Sequence, residues 1–434
     1  MTDLAASAGG FGEPEAVILP QGRIATLDIV RGVAVLGILA MNIVAFAMPG
    51  AAYMNPAAYG TESAADLGSW IFSFILIDGK MRGLFSFLFG ASMLLVIDRA
   101  EAAGASPARV HYSRMFWLLA FGLIHYFFIW YGDILSLYAP IGMLAYAFRH
   151  MSPVKLIVLG CCLLFAQFVL TGFFAFAIDM QQSLALAPHA DPEAIAAWAE
   201  MQKGFGLYTP PQLQHVLDLY RGGYGPIVRH QLGEWQGPLN SLWQSGWETL
   251  AYMLFGMAAL RSGFLTGAWE RRRYLNVIAL GFGIGIPLYA ALAWWLIHEH
   301  FSVFAIVAGW LTATVPIRPF MILAIAACVI LLTGGGGWLT QRLAAAGRAA
   351  FTNYLGTSIL MAVLFYGYGF GLFGHLTRVQ LWLPVTGAWM LMLLWSKPWL
   401  DRFTYGPFEW LWRSLARGRL QPMRRRAAPR LRTH

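Results

Sequence analysis

The chain reads as an all-α protein, a polytopic membrane helical bundle of about ten transmembrane helices with both termini cytoplasmic. Three observations carry that expectation. Charged residues make up only 12% of the 434, about half the roughly 25% usual in soluble domains. So few charges cannot cover a core drawn from 58% hydrophobic and 15% aromatic residues. Apolar stretches of spanning length recur along the chain, and threading it through them puts most Lys and Arg on one side. The same composition excludes intrinsic disorder and a coiled coil.

In chain order, residues 1–22 are polar and Gly/Ala-rich with no basic region before an apolar core, and read as a cytoplasmic tail, not a cleavable signal peptide. A five-span bundle over 23–178 follows, with apolar stretches at 28–48, 66–97, 114–130, 133–149 and 154–178. Residues 179–245 form an extracytoplasmic segment. A second five-span bundle over 246–413 has stretches at 246–262, 274–297, 303–333, 350–370 and 380–396, and 414–434 is a basic cytoplasmic tail. The stretches 66–97 and 303–333 exceed 30 residues and carry charges at mid-length, so each is a tilted helix or a pair of half-helices. Within 179–245, Asp191-Pro192-Glu193 starts a helix whose Trp198, Met201 and Phe205 are expected to rest on the outer membrane interface.

Orientation follows from the cations. Inner segments hold 22 Lys/Arg, outer segments four (Lys203, Arg221, Arg229, Arg378), and four lie within the spans. Ten of the 30 follow Ser396, so the net charge of +9 points to a tail beside anionic headgroups and not to nucleic acid. The expected partner is the lipid bilayer, with a homo-oligomer left open. Cys161, Cys162 and Cys328 lie in apolar runs and read as structural thiols, and no Cys/His spacing suggests a metal site.

Ionisable groups inside a bilayer cost at least a few kcal/mol each and are functional suspects. They are Asp28 and Arg31 in span one, Asp78, Lys80 and Arg82 in span two, His125 in span three and Arg318 in span eight. Asp28 and Arg31 share one helical face and can pair locally. Gly79 and Gly83 loosen the helix around Lys80 and Arg82, and Pro316 and Pro319 interrupt the ladder around Arg318. If all six groups of spans one, two and eight converge, four cations meet two acids. The surplus of about two positive charges calls for a bound anion bearing phosphate or carboxylate. The opposing reading lets Lys80 and Arg82 snorkel into a water-filled vestibule. His125 precedes Asp133 by eight residues, and a tight turn near Gly132 would let the acid orient the imidazole. A satisfied packing histidine is the plainer reading.

Residues Arg23, Asp28, Arg31-Gly32, Ala34, Leu36-Gly37-Ile38 and Asn42, with Asp78-Gly-Lys-Met-Arg-Gly-Leu-Phe-Ser-Phe-Leu-Phe-Gly90 and Gly132-Asp-Ile-Leu135, resemble the YeiB-like family. Gly347-Arg-Ala-Ala-Phe-Thr-Asn-Tyr354, Phe365–Gly374 and Tyr405-Gly-Pro-Phe-Glu-Trp-Leu-Trp-Arg413 look like its carboxy-terminal domain of unknown function 418 (DUF418). The resemblance spans 23–413 and implies a multi-pass protein of a bacterial-type cytoplasmic (inner) membrane. The first-span pattern is also similar to two transmembrane acyltransferase groups, the acyltransferase-3 and heparan-glucosaminide N-acetyltransferase types. These imply acyl-CoA on the cytoplasmic side and an acceptor on the far side. The first type places a catalytic His where this chain has Asn42; the second places one in the next outer loop, and residues 43–70 contain none.

Three functions are carried forward. The first is an acyltransferase-like enzyme, with acetyl-CoA or another acyl-CoA held by Arg31, Lys80, Arg82 and Arg318 and with His125 and Asp133 as base and orienter. Asp28, Asn42 and Asp78 complete its binding set, with no metal and no covalently bound cofactor. The second is a transporter of an organic anion or lipid-linked intermediate, and the third a non-catalytic protein on the same scaffold.

Overall fold

A computed structural model describes residues 18–19 and 23–425. Most of the 1–22 tail, and Arg426, Arg430 and Arg432 of the 414–434 tail, lie outside the described residues. A two-residue ribbon pairs Ile18–Leu19 with Arg23–Ile24, and the rest is helices and their connections. The first half holds α1 (Ala25–Ala47), α2 (Ala64–Leu76), α3 (Lys80–Ala102), α4 (Pro107–Phe128), α5 (Leu135–Ala145) and α6 (Pro153–Ala185). Three helices, α7 (Pro192–Phe205), α8 (Pro210–Arg221) and α9 (Tyr224–Gly233), precede the long α10 (Gly237–Arg261) and α11 (Arg271–His298). A short α12 (Val303–Ala305) runs into a π-helical stretch at Ile306–Ala313, then α13 (Arg318–Thr333), α14 (Trp338–Arg348), α15 (Ala350–Phe365), α16 (Trp382–Arg402) and α17 (Pro407–Arg417).

All ten apolar stretches fall on helices. Four of these, α1, α2–α3, α6 and α11, are long and apolar enough to cross a membrane, or five with the bent pair formed by 303–313 and α13. The stretches on α4, α5, α10, α15 and α16 are shorter or more polar. Burial sorts the long helices. In α1 78% of the most apolar window is buried, against 22% in α6 and in α11. The central α1 therefore packs on protein, whereas α6 and α11 expose Phe165, Phe173, Phe176, Leu280 and Trp294, as a lipid-facing rim requires.

Small residues bring the central helices together. A Cβ on Gly347 of α14 would collide with the Asp28 carbonyl of α1, and one on Gly256 of α10 with the Phe87 carbonyl of α3. Such backbone approach replaces the hydrophobic drive that lipid cannot supply. On α17, Glu409 accepts the Phe351 amide (2.7 Å) and the Thr352 amide (3.1 Å), capping the start of α15.

The helix starting at Pro192 is capped by Asp191, whose carboxylate accepts the Glu193 amide at 2.9 Å. Its apolar face does not rest on the membrane interface. Trp198 is buried, with Met201 and Phe205 partly buried beside it, against Ala175 and Ile178 of α6 and Val303 and Val307 of the 303–313 segment, because that packing removes more apolar area from solvent than a grazing contact with headgroups. Helix α8 is likewise fastened down. Arg221 donates to the Phe373 carbonyl at 2.8 Å, and the Gly367 amide to the Tyr220 carbonyl at 2.9 Å.

Candidate functional site at two helix breaks

Helix α2 ends at Leu76 and α3 begins at Lys80. The break is possible because Gly79 takes φ +69°, a conformation that costs an L side chain about 1–2 kcal/mol. The second break, Thr314–Ile317, bends 303–313 from α13 by 54°, with Pro316 within it and Pro319 in the first turn of α13. The two breaks meet: the Arg318 side chain packs directly on Gly79.

Around that contact the bundle encloses five ionisable side chains. Glu248, near the middle of α10, is the hub. It accepts Arg82 Nη2 on Oε2 (2.5 Å), Arg318 Nη1 on Oε1, and the Tyr252 hydroxyl on Oε1 (2.8 Å). Arg318 Nη2 also donates to Thr314 Oγ1 at 2.6 Å, bridging the break in its own segment. Fully buried Lys80 donates its ammonium to the Phe74 carbonyl in the last turn of α2 and sits 3.3 Å from the centroid of the Tyr289 ring. That position answers both the negative end of α2 and the face of the aromatic ring. Asp78 accepts the Tyr53 hydroxyl at 3.3 Å. It borders a cavity of about 40 Å³ shared with Tyr53, Ser73, Trp310 and Arg378, room for two or three waters.

This corrects the expected convergence of six groups. Asp28 and Arg31 pair with each other at 3.0 Å, and Arg31 donates to Ser92 Oγ at 2.6 Å. Ser92 lies ten residues beyond Arg82 on α3, about 15 Å along the axis, so this pair forms a separate, internally neutral site. Asn42 is buried in α1 between residues that line the cavity, without lining it itself. Glu248 enters the cluster in place of Asp28. Three cations then face two acids, and the surplus falls from two positive charges to one. The sequence reading passed over Glu248 because it opens an apolar stretch only three residues past the polar segment, where an acid looks interfacial. The signal that would have found it is the demand of two intramembrane arginines for a carboxylate.

A second group forms across the α4–α5 turn. His125 Nδ1 lies 2.9 Å from Asp133 Oδ1, and Asp133 Oδ2 accepts the Ser136 amide at 2.6 Å, capping α5. Both side chains are wholly buried. Tyr354 and Trp130 flank the imidazole, and among the described residues its Nε2 has no hydrogen-bond partner. Tyr138, five residues past Asp133, donates to the Arg82 carbonyl at 3.0 Å, tying this turn to the charged cluster.

With this geometry in view, similarity to other proteins becomes informative. Residues 259–419, from the end of α10 to just past α17, match the family model "Protein of unknown function (DUF418)". The chain is 32% identical over 413 residues to the uncharacterized protein YeiB of Escherichia coli (strain K12), covering 91% of this chain and 96% of that protein. It is 31% identical over 419 residues to the uncharacterized protein YxaH of Bacillus subtilis (strain 168), covering 93% and 97%. The chain belongs to the YeiB-like DUF418 family. No solved structure matches it.

The segments that carry the family resemblance meet one another in space. Arg31 reaches the Gly347 carbonyl at 3.5 Å, the Ile134 amide donates to the Tyr354 hydroxyl at 3.2 Å, and the Gly374 amide donates to the Ala47 carbonyl at 2.7 Å. In this family member the motifs of the two halves therefore form one framework around α1.

Proposed function

We propose that the protein is a membrane-embedded acyltransferase-like enzyme that moves an acyl group from a cytoplasmic acyl-CoA to a hydroxyl or amine on the far side. The observation that carries this reading is the His125–Asp133 pair. An acid on Nδ1 fixes the tautomer whose Nε2 lone pair can accept a proton, and Nε2 is the ring atom left unengaged. In the proposed step Nε2 takes the acceptor's proton while its oxygen or nitrogen attacks the thioester carbonyl. The C–S bond then breaks, and the imidazolium returns the proton to the departing CoA sulfur. The residual positive charge of the Lys80–Arg82–Arg318 cluster supports an anionic, phosphate-bearing donor. The starts of α3 and α13 add positive dipole ends with no side-chain cap. Ten spans with both termini in the cytoplasm, in an inner membrane of bacterial type, are part of this proposal; the span count rests on the ten apolar stretches, the orientation on the Lys/Arg distribution and the membrane type on the family resemblance.

The decisive experiment measures thermal stabilisation of the purified protein by acetyl-CoA, CoA and CoA lacking its 3′-phosphate, together with thiol release in the presence of candidate acceptors. Saturable stabilisation by acetyl-CoA, weakened in Arg82→Ala, is expected, with thiol release abolished in His125→Gln while binding persists. Folded protein that binds none of the CoA species overturns the reading. Transport of an organic anion is the second reading, favoured by two interrupted helices meeting at buried charges. It predicts substrate counterflow in proteoliposomes without thiol release.

A further inference from the structure

We infer that the open cavity bordered by α4, α8 and α9 binds an ammonium group, carried by a small free amine or by a lipid headgroup. This cavity holds about 310 Å³, the lower end of the range for small-molecule sites, and lies apart from the charged cluster. Four tyrosines (126, 131, 208 and 220) line it with Glu234 and His230, and none of its lining residues is Lys or Arg.

The hydrogen bonding of those tyrosines sets the polarity. Tyr131 donates its proton to the Ala45 carbonyl (3.1 Å), and Tyr126 to the Glu234 carbonyl (3.2 Å). With these protons committed to backbone, the two phenol oxygens can only accept from a ligand. Tyr208 accepts the Ala51 amide at 3.0 Å. Burial, with Tyr208, Tyr126 and Glu234 nearby, keeps the Tyr220 hydroxyl protonated well above the ordinary tyrosine range. The phenols are thus neutral, and Glu234 supplies the formal charge of the lining. Glu234 is also the residue at which α9 ends, so the negative end of that helix dipole adds to the carboxylate. Tyrosine rings, oxygen acceptors and one carboxylate favour a cation with N–H or N-methyl groups and disfavour an anion.

The test uses the full-length protein and involves no CoA. Thermal stabilisation is titrated with ethanolamine and choline, and with sodium acetate at matched ionic strength as the anionic control. A second arm measures lipid retained by native mass spectrometry after extraction from nanodiscs of phosphatidylethanolamine or phosphatidylglycerol. Saturable stabilisation by either amine identifies a free-amine site, and selective retention of phosphatidylethanolamine identifies a headgroup site. Each is expected to weaken at least tenfold in Glu234→Gln, a substitution at an exposed position expected to leave the melting temperature without ligand unchanged, and to weaken also in Tyr208→Phe. Binding unchanged in Glu234→Gln, acetate binding as tightly as the amines, or no binding from either source overturns the assignment.

Discussion

Glu248 stands between two guanidinium groups that would otherwise repel each other inside the bundle, with Arg82 on one carboxylate oxygen and Arg318 on the other. Removing one partner of a buried ion pair costs about 3–5 kcal/mol, because the remaining charge is stranded. Glu248→Gln strands two cations and is expected to lower the melting temperature more than Arg82→Met, which leaves Glu248 paired with Arg318. Equal shifts would mean that Glu248 is not the hub. His125 and Asp133 separate in the same manner. Asp133 both holds the imidazole and caps α5, so Asp133→Ala should lose about 1–2 kcal/mol more than His125→Gln. Comparing the thermal unfolding of the two variants checks this, since a residue serving only as a histidine partner would not show the excess.

Two kinds of helix interruption are at work in the bundle. At α2–α3 a single glycine with positive φ resets the chain direction, and Arg318 fills the space that its missing Cβ leaves. At 303–333 a π-helical stretch and a proline-containing turn produce a 54° bend. Gly79→Ala therefore meets both a strained backbone and a collision, and should destabilise by more than about 1 kcal/mol. Gly356 is the contrasting case, a mid-helix glycine in α15 with open space around its Cβ position. Gly356→Ala should stabilise by up to about 1 kcal/mol. Melting temperatures of the two variants should thus move in opposite directions from the parent, and movement in the same direction would contradict this account of the α2–α3 break.

For the molecule as a whole, the open question is which way it sits in the bilayer. Lys and Arg crowd the segments 98–114, 261–273 and beyond Ser396, whereas 179–245 carries three. If that bias sets orientation, green fluorescent protein fused after His434 fluoresces in the cytoplasm. Alkaline phosphatase inserted at Gly204, an open position in α7, is then active outside. A dark green fluorescent protein after His434 together with an inactive phosphatase at Gly204 would reverse the topology and move the donor site to the other side.

Membrane class, family and helix-break positions are one-dimensional properties. Composition, local spacing and the placement of Gly79 and Pro316 carry them, so they could be read along the chain. The pairing of His125 with Asp133 was legible for the same reason, since eight residues and one turn separate them. Other features depend on how distant helices cross. Glu248 meets Arg82 across 166 residues and Arg318 across 70. Asp28 and Arg31 stand apart from the cluster because α1 packs them against Gly347 and Ser92, a choice invisible in a pattern that records only that they face one way. The tyrosine cavity gathers side chains from residue 126 to residue 234, and no local signal marks them as neighbours. Composition and local spacing determine which groups must be buried and roughly what that costs; close packing among helices decides which charge answers which, because a buried charge is compensated only by a group within a few ångströms.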